Sequence, residues 1–122
     1  MDRRTLGRAG ERLAAAHLKV KGNEILERNV YTARGELDLI ARSPEGVIVF
    51  VEVRTRRGAH AAEEAAASVD MRKQRRLHEL AATYLAEHAP HAEARIDVIT
   101  VAVERDGRVA DVTHYENAVD GE

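Results

Sequence analysis

The stretch from Gly35 to Arg57 reads as a β-hairpin, and it constrains the fold more than any other part of the chain. Apolar residues recur at period two through Gly35-Glu36-Leu37-Asp38-Leu39-Ile40 and again through Val49-Phe50-Val51-Glu52-Val53-Arg54. Between them, Ser43-Pro44-Glu45-Gly46 suits a three-residue loop, with Pro44 in a type I turn and Gly46 in the left-handed position that closes it. Positions equidistant from the turn then face each other, so Asp38 is expected opposite Glu52, and Glu36 opposite Arg54. Because side chains alternate along a strand, Asp38, Glu52 and Arg54 should share a face. A one-residue slip in register would put the two acids on opposite faces.

Two carboxylates directly across a ladder, with Cβ atoms roughly 4.5–5.5 Å apart, repel each other. A divalent cation taking an oxygen from each would offset that repulsion. A shared proton or a nearby guanidinium would also do so. Cross-strand salt bridges from Arg54 to Glu36 or Asp38 are the structural alternative.

The remaining sequence bounds the class. A chain of 122 residues with 44% hydrophobic and 33% charged content predicts one globular domain, with a core over about 5–118 and a frayed tail at 119–122. Without cysteine it has no disulfide and no thiolate metal site. No apolar run approaches the roughly 20 residues that span a bilayer. Met1-Asp2-Arg3-Arg4 leads into Ala- and charge-rich sequence rather than an apolar signal core, which predicts a cytoplasmic protein without a membrane partner. The net charge of -2 argues against a uniformly basic coat, but Arg54, Arg56, Arg57, Arg72, Lys73, Arg75 and Arg76 are clustered. Such groups can hold phosphates, or form a solvated charged face.

Along the chain, residues 5–21 read as a helix with Leu6, Ala9, Leu13, Ala16 and Val20 as its buried stripe. Glu11 falls on a second line with Gly7, Ala14 and Leu18, at the edge of that stripe. A strand follows over 24–31, then the hairpin. Residues 58–68 are Ala-rich and fit either a loop or an early start to the next helix. That helix is expected over Met71–His88, with Leu77, Leu80, Ala81, Tyr84 and Leu85 buried and Lys73 extending the same stripe toward the sheet. If it starts near Asp70, its cations crowd the positive helix end, a conflict that an anionic ligand would remove. Strands over 95–104 and 108–115 flank an Asp106-Gly107 turn. The order α-β-β-β-α-β-β predicts an α/β fold with a mixed central sheet, the 95–104 strand parallel to the second hairpin arm. Tyr31, Tyr84 and Tyr115 make no stacking platform, which favours a duplex or branched substrate over single strands. His17, His78 and His88 show no ligand spacing.

These residues together resemble the YraN-like family. The resemblance is carried by Gly10-Glu11, Arg28-Asn29, Gly35-Glu36-Leu37-Asp38, Phe50-Val51-Glu52-Val53-Arg54-Thr55-Arg56, Lys73 and Arg95-Ile96-Asp97-Val98, from about residue 7 to 118. That family is similar to the PD-(D/E)XK, restriction-endonuclease-like nuclease fold, with archaeal Holliday-junction resolvases among its nearer relatives. The resemblance implies a metal-dependent endonuclease acting on DNA, with Mg²⁺ or Mn²⁺ held by Glu11, Asp38, Glu52 and the Val53 carbonyl. It leaves room for a homodimer. Arg54 stands in the family's lysine position, and an Arg, with a pKa above ~12, cannot serve as a base. Either metal-bound hydroxide would carry the attack, or Lys73 would reach in from the helix as a displaced lysine, or the enzyme would be weak or inactive. Arg56, Arg57, Arg72, Lys73, Arg75 and Arg76 are the candidate phosphate contacts. A binding module without catalysis and a protein-docking accessory domain are the alternatives.

Overall fold

The computed structural model describes residues 2–118; the tail expected to fray lies outside them. The elements are α1 (Arg3–Val20), β1 (Glu24–Thr32), β2 (Gly35–Arg42), β3 (Ile48–Arg57), α2 (Ala61–Ala67), α3 (Met71–His88), β4 (Ala94–Val103) and β5 (Val109–Tyr115). The five strands form one sheet in the order β1-β2-β3-β4-β5. It is mixed: β3 and β4 run parallel, and every other neighbour pair is antiparallel. The segment left between loop and helix is a separate short helix, α2, packed over β3 and β4. Among the described residues, no helix is long and apolar enough to cross a membrane.

Alternation along the strands divides the core into two layers. Leu39, Ala41, Val49, Val51, Val53, Ile99 and Val101 pack with Ala14, Ala15 and Leu18 of α1. Ile40, Phe50, Ile96 and Val98 pack with Leu77, Leu80 and Ala81 of α3 on the other face. Each fully buried aliphatic or Phe side chain contributes about 1.5–3 kcal/mol.

The hairpin turn forms as its residues dictate. Gly46 has φ 88°, its N–H donates to the Ser43 carbonyl at 2.9 Å, and Val47 N–H donates to Ser43 Oγ at 3.0 Å. The ladder that follows pairs Arg42 with Ile48, Ala41 with Val49, Ile40 with Phe50 and Leu39 with Val51. This is the register the turn predicts.

The face of α1 differs from expectation. Val20 is 88% exposed and Ala16 is exposed, whereas Gly10, Ala14, Ala15 and Leu18 are buried. Small residues decide this, because they let the helix axis approach the sheet. A Cβ at Gly10 would lie 1.9 Å from Thr55 Oγ1 on β3. The line holding Gly7, Glu11, Ala14 and Leu18 therefore turns toward the sheet, and Glu11 goes with it.

Candidate active site: an acid notch where two strands part

The paired ladder of β2 and β3 stops at Leu39↔Val51. Beyond it, β2 stays with β1 as far as Thr32↔Gly35, and β3 stays with β4 as far as Arg57↔Val103. The two arms of the hairpin thus part at Asp38. Asn29, on β1, lies between the ladder pairs Arg28↔Leu39 and Val30↔Leu37 and has φ 51°. Alternation also breaks there: Leu39 lies in the α1-side core, but Leu37 lies in the α3-side core with Ile40.

Asp38 fills the gap. Its Oδ2 accepts a hydrogen bond from Val53 N–H at 2.9 Å, taking the place of a β2 carbonyl in the ladder. Within a strand, a residue's N–H and C=O lie on the same edge, so the Val53 carbonyl is directed at the same gap.

Four carboxylates meet around it. Oxygens of Glu11, Glu36 and Asp38 all lie within 4.8 Å of one another. Asn29, with its amide nitrogen turned toward them, donates to Glu11 Oε1 at 3.0 Å and to Glu36 Oε1 at 2.8 Å. Burial raises the pKa of Glu11, as do the charges of Asp38 and Glu36. Burial and Asp38 likewise raise Glu36. Glu52 sits on the other side of Asp38. Burial, the Asp38 charge and a hydrogen bond shared with Asp38 push its pKa up to about 8. The closeness of Asp38 and Glu52 expected from the hairpin is thus one cause of that rise.

Arg54 forms an ion pair with Glu52 that opposes, without cancelling, the rise in the Glu52 pKa. Arg54 Nε lies 3.7 Å from Glu52 Oε1, beyond hydrogen-bond reach, and is buried without a hydrogen-bond partner. The side chains of Arg54 and Glu52 are only 20% and 13% exposed. A buried donor left unmade costs about 1–3 kcal/mol. The notch thus holds an ion pair without a hydrogen bond, and Arg54 Nε is left as a free donor.

Two clefts open onto this notch, and Asp38, Glu52 and Arg54 line both. One, of about 720 Å³, runs between α1 and β3 and is also lined by Arg3, Glu11, Val53, Arg56 and Arg57. The other, of about 300 Å³, lies under α3 and is also lined by Glu36, Lys73 and Arg76. Asp70 caps α3, its Oδ1 accepting from Lys73 N–H at 3.0 Å, so the helix starts where the cations are. Burial lowers the pKa of Lys73, as does the Arg54 charge, while Glu52 and Asp70 pull the other way.

The structure thus brings Glu11, Asp38, Glu52, Val53, Arg54, Arg56, Arg57, Lys73 and Arg76 to the notch or its clefts. Arg72 and Arg75 are exposed on α3 and line neither cleft. Glu36, expected opposite Arg54, joins Glu11 and Asp38 instead, because the strands separate before that pair can form. Its signal was present: it stands two residues before Asp38, on the same strand. Arg3 was also missed, because its approach depends on how α1 lies across the sheet. Asp97, within one of the motifs, lines neither cleft and is held by Arg95, His114 and the N–H of Asn117.

Fold and site together define an α/β protein with carboxylates gathered at a break in a mixed sheet and cations on the surrounding walls. Residues 10–101 match the family described as uncharacterised protein family UPF0102, and the chain belongs to it. A UPF0102 protein of Pelotomaculum thermopropionicum is 46% identical over 119 residues, covering 95% of this chain and 96% of the relative. One of Corynebacterium efficiens is 43% identical over 122 residues, covering 98% and 96%. Among solved structures, Pyrococcus furiosus SfsA in complex with Ca²⁺ aligns with a TM-score of 0.41 and 18% identity, over 94% of this chain and 64% of that one. That likeness is too slight to carry an argument about the site.

Proposed function

We propose that this protein is a metal-dependent nuclease of restriction-endonuclease-like fold, hydrolysing phosphodiester bonds in duplex or branched DNA. The observation that carries the reading is the acid notch itself: three carboxylates within 4.8 Å, and a fourth that stays raised to about 8 although Arg54 forms an ion pair with it at 3.7 Å. The donor set is all oxygen, which fits a hard cation such as Mg²⁺ or Mn²⁺. Glu11, Glu36 and Asp38 would hold it, with Glu52 and the Val53 carbonyl beside them. When bound, such an ion polarises the phosphate and makes water a better nucleophile.

The chain's own groups supply the rest. Arg54 stays protonated and donates to a phosphate oxygen as negative charge builds there. Lys73 lines the same cleft, so it can orient water or deliver a proton to the departing sugar oxygen. Arg3, Arg56, Arg57 and Arg76 hold backbone phosphates along the cleft walls without reading sequence. Water's oxygen bonds to phosphorus, one P–O bond breaks, and the departing oxygen takes up a proton.

The test is incubation of the purified protein with supercoiled and four-way-junction DNA, with Mn²⁺ or Mg²⁺ or with EDTA. Cleavage that needs the metal and disappears in Asp38→Ala and Glu52→Ala supports the reading. Binding without cleavage under every metal condition overturns it in favour of a binding module, which the arginine at position 54 would then explain. Full activity in Lys73→Met would remove Lys73 from the mechanism.

A further inference from the structure

Glu11 has a second side. A recess of about 170 Å³ adjoins it, lined by Arg8, Glu11, Arg12, Arg28, Asn29 and Leu39. Three of those six residues are exposed arginines. Arg8 and Arg12 stand one turn apart on α1, and Arg28 pairs with Leu39 from β1. The charge of Arg8 acts on Glu11, but among the described residues no carboxylate comes within 4.0 Å of any of the three guanidiniums. Like charges at this helical spacing destabilise the helix, and a third guanidinium across from them adds to the repulsion. An anion that accepts from several planar donors at once would reverse the sign, and phosphate is the group whose oxygens suit guanidinium best.

We propose that Arg8, Arg12 and Arg28 together hold one backbone phosphate of the nucleic acid, next along the strand from the phosphodiester at the acid notch. This rests on the reading that the notch takes nucleic acid. Glu11 is the shared wall, so a strand lying in the recess is led directly to the carboxylates. The arginines of the recess fix the position of the strand and carry no sequence preference.

The test is binding of a fluorescent DNA duplex by anisotropy, in EDTA so that no cleavage occurs, across a series of KCl concentrations. The plot of log K against log salt has a slope of about -0.9 per phosphate neutralised. For the triple variant Arg8→Gln/Arg12→Gln/Arg28→Gln, binding weakens and the slope becomes shallower by about 0.9, one phosphate's worth. A change of about 2.7 would mean three separate contacts and would overturn the shared recess. An unchanged slope, or no salt-dependent binding by the unaltered protein, would also overturn it. Arg105→Gln, at the turn after β4, leaves the slope as it was. If the triple variant does not fold by circular dichroism, Arg8→Gln/Arg28→Gln carries the same expectation. Failure of cleavage with the slope change intact sinks the hydrolysis and spares the recess; intact cleavage with no slope change does the reverse.

Discussion

Two groups of acids occupy the middle of the sheet: Asp97 on β4, and Glu11, Glu36, Asp38 and Glu52 where β2 leaves β3. Asp97 is fully buried, yet each of its oxygens is met. Arg95 Nε donates to Oδ1 at 3.1 Å and its Nη2 to Oδ2 at 3.3 Å. Asn117 N–H reaches Oδ1 at 2.8 Å, and His114 Nε2 reaches Oδ2 at 2.8 Å. Lys21 Nζ donates to His114 Nδ1 at 3.2 Å, which leaves the ring proton on Nε2, facing Asp97. Burial alone would raise Asp97, but the bonds from His114, Asn117 and Arg95 hold its pKa below the ordinary value. At the notch, four carboxylates share one amide, one backbone N–H and a guanidinium 3.7 Å from Glu52, and the pKa values of Glu11, Glu36 and Glu52 rise. Carboxylates are thus completed by the chain in one place and left with raised pKa values in the other. Only the first stabilises the fold by itself.

The comparison breaks most readily at Asp97. Asp97→Ala strands Arg95 and His114 and is expected to cost about 3–5 kcal/mol in urea unfolding. A loss under 1 kcal/mol would show that the two acid groups are not so different. Because the folded pKa of Asp97 is depressed, its contribution is present above the ordinary carboxylate value and is lost as pH falls through the folded one.

Metal addition probes the other group. Mg²⁺ or Mn²⁺ at a hundred times its dissociation constant is expected to stabilise the protein by about 2.7 kcal/mol, and not at all in Asp38→Ala. The sign with pH is opposite to that of Asp97. Glu52 is raised from 4.5 to about 8, so without metal its contribution is full below 4.5 and is lost as pH rises through 8. Metal binding displaces that proton, so calorimetric affinity should strengthen up to about tenfold per pH unit from pH 6 to 8. A flat profile would show that Glu52 takes no part.

Gly10→Ala sharpens the geometry, since its Cβ would strike Thr55 Oγ1 and lift α1, carrying Glu11 from Glu36 and Asp38. The expected cost is about 1–3 kcal/mol, with metal affinity falling further than stability does. The smallest effect is at Glu52→Gln, which relieves repulsion and should stabilise the metal-free protein at pH 8 by about 1 kcal/mol while weakening its response to metal. Destabilisation instead would mean that Glu52 is already satisfied within the fold.

The central hairpin was legible because its information is local. Pro44 and Gly46 define one turn, the turn defines one register, and that register carries through Leu39↔Val51. The span of α3 was legible for the same reason: Asp70 caps it and Pro90 follows it. The face of α1 was not. Its hydrophobic spacing favours Val20, but close approach of Gly10 to Thr55 decides the contact, and nothing in the sequence announces which partner a small residue will meet. The break in α2 before α3 was also left open, since Ala-rich sequence suits both states.

By itself, then, the sequence determined an α/β chain with a mixed sheet and the register of its central hairpin as far as Leu39↔Val51. Only the tertiary structure decided that β2 parts from β3 at Asp38, that Glu36 and Glu11 close in from a strand and a helix, and that Asp97 is satisfied by His114 from the far edge. Register follows from turns a few residues away. The company a buried charge keeps depends on which surfaces pack together, and packing is settled by every element at once.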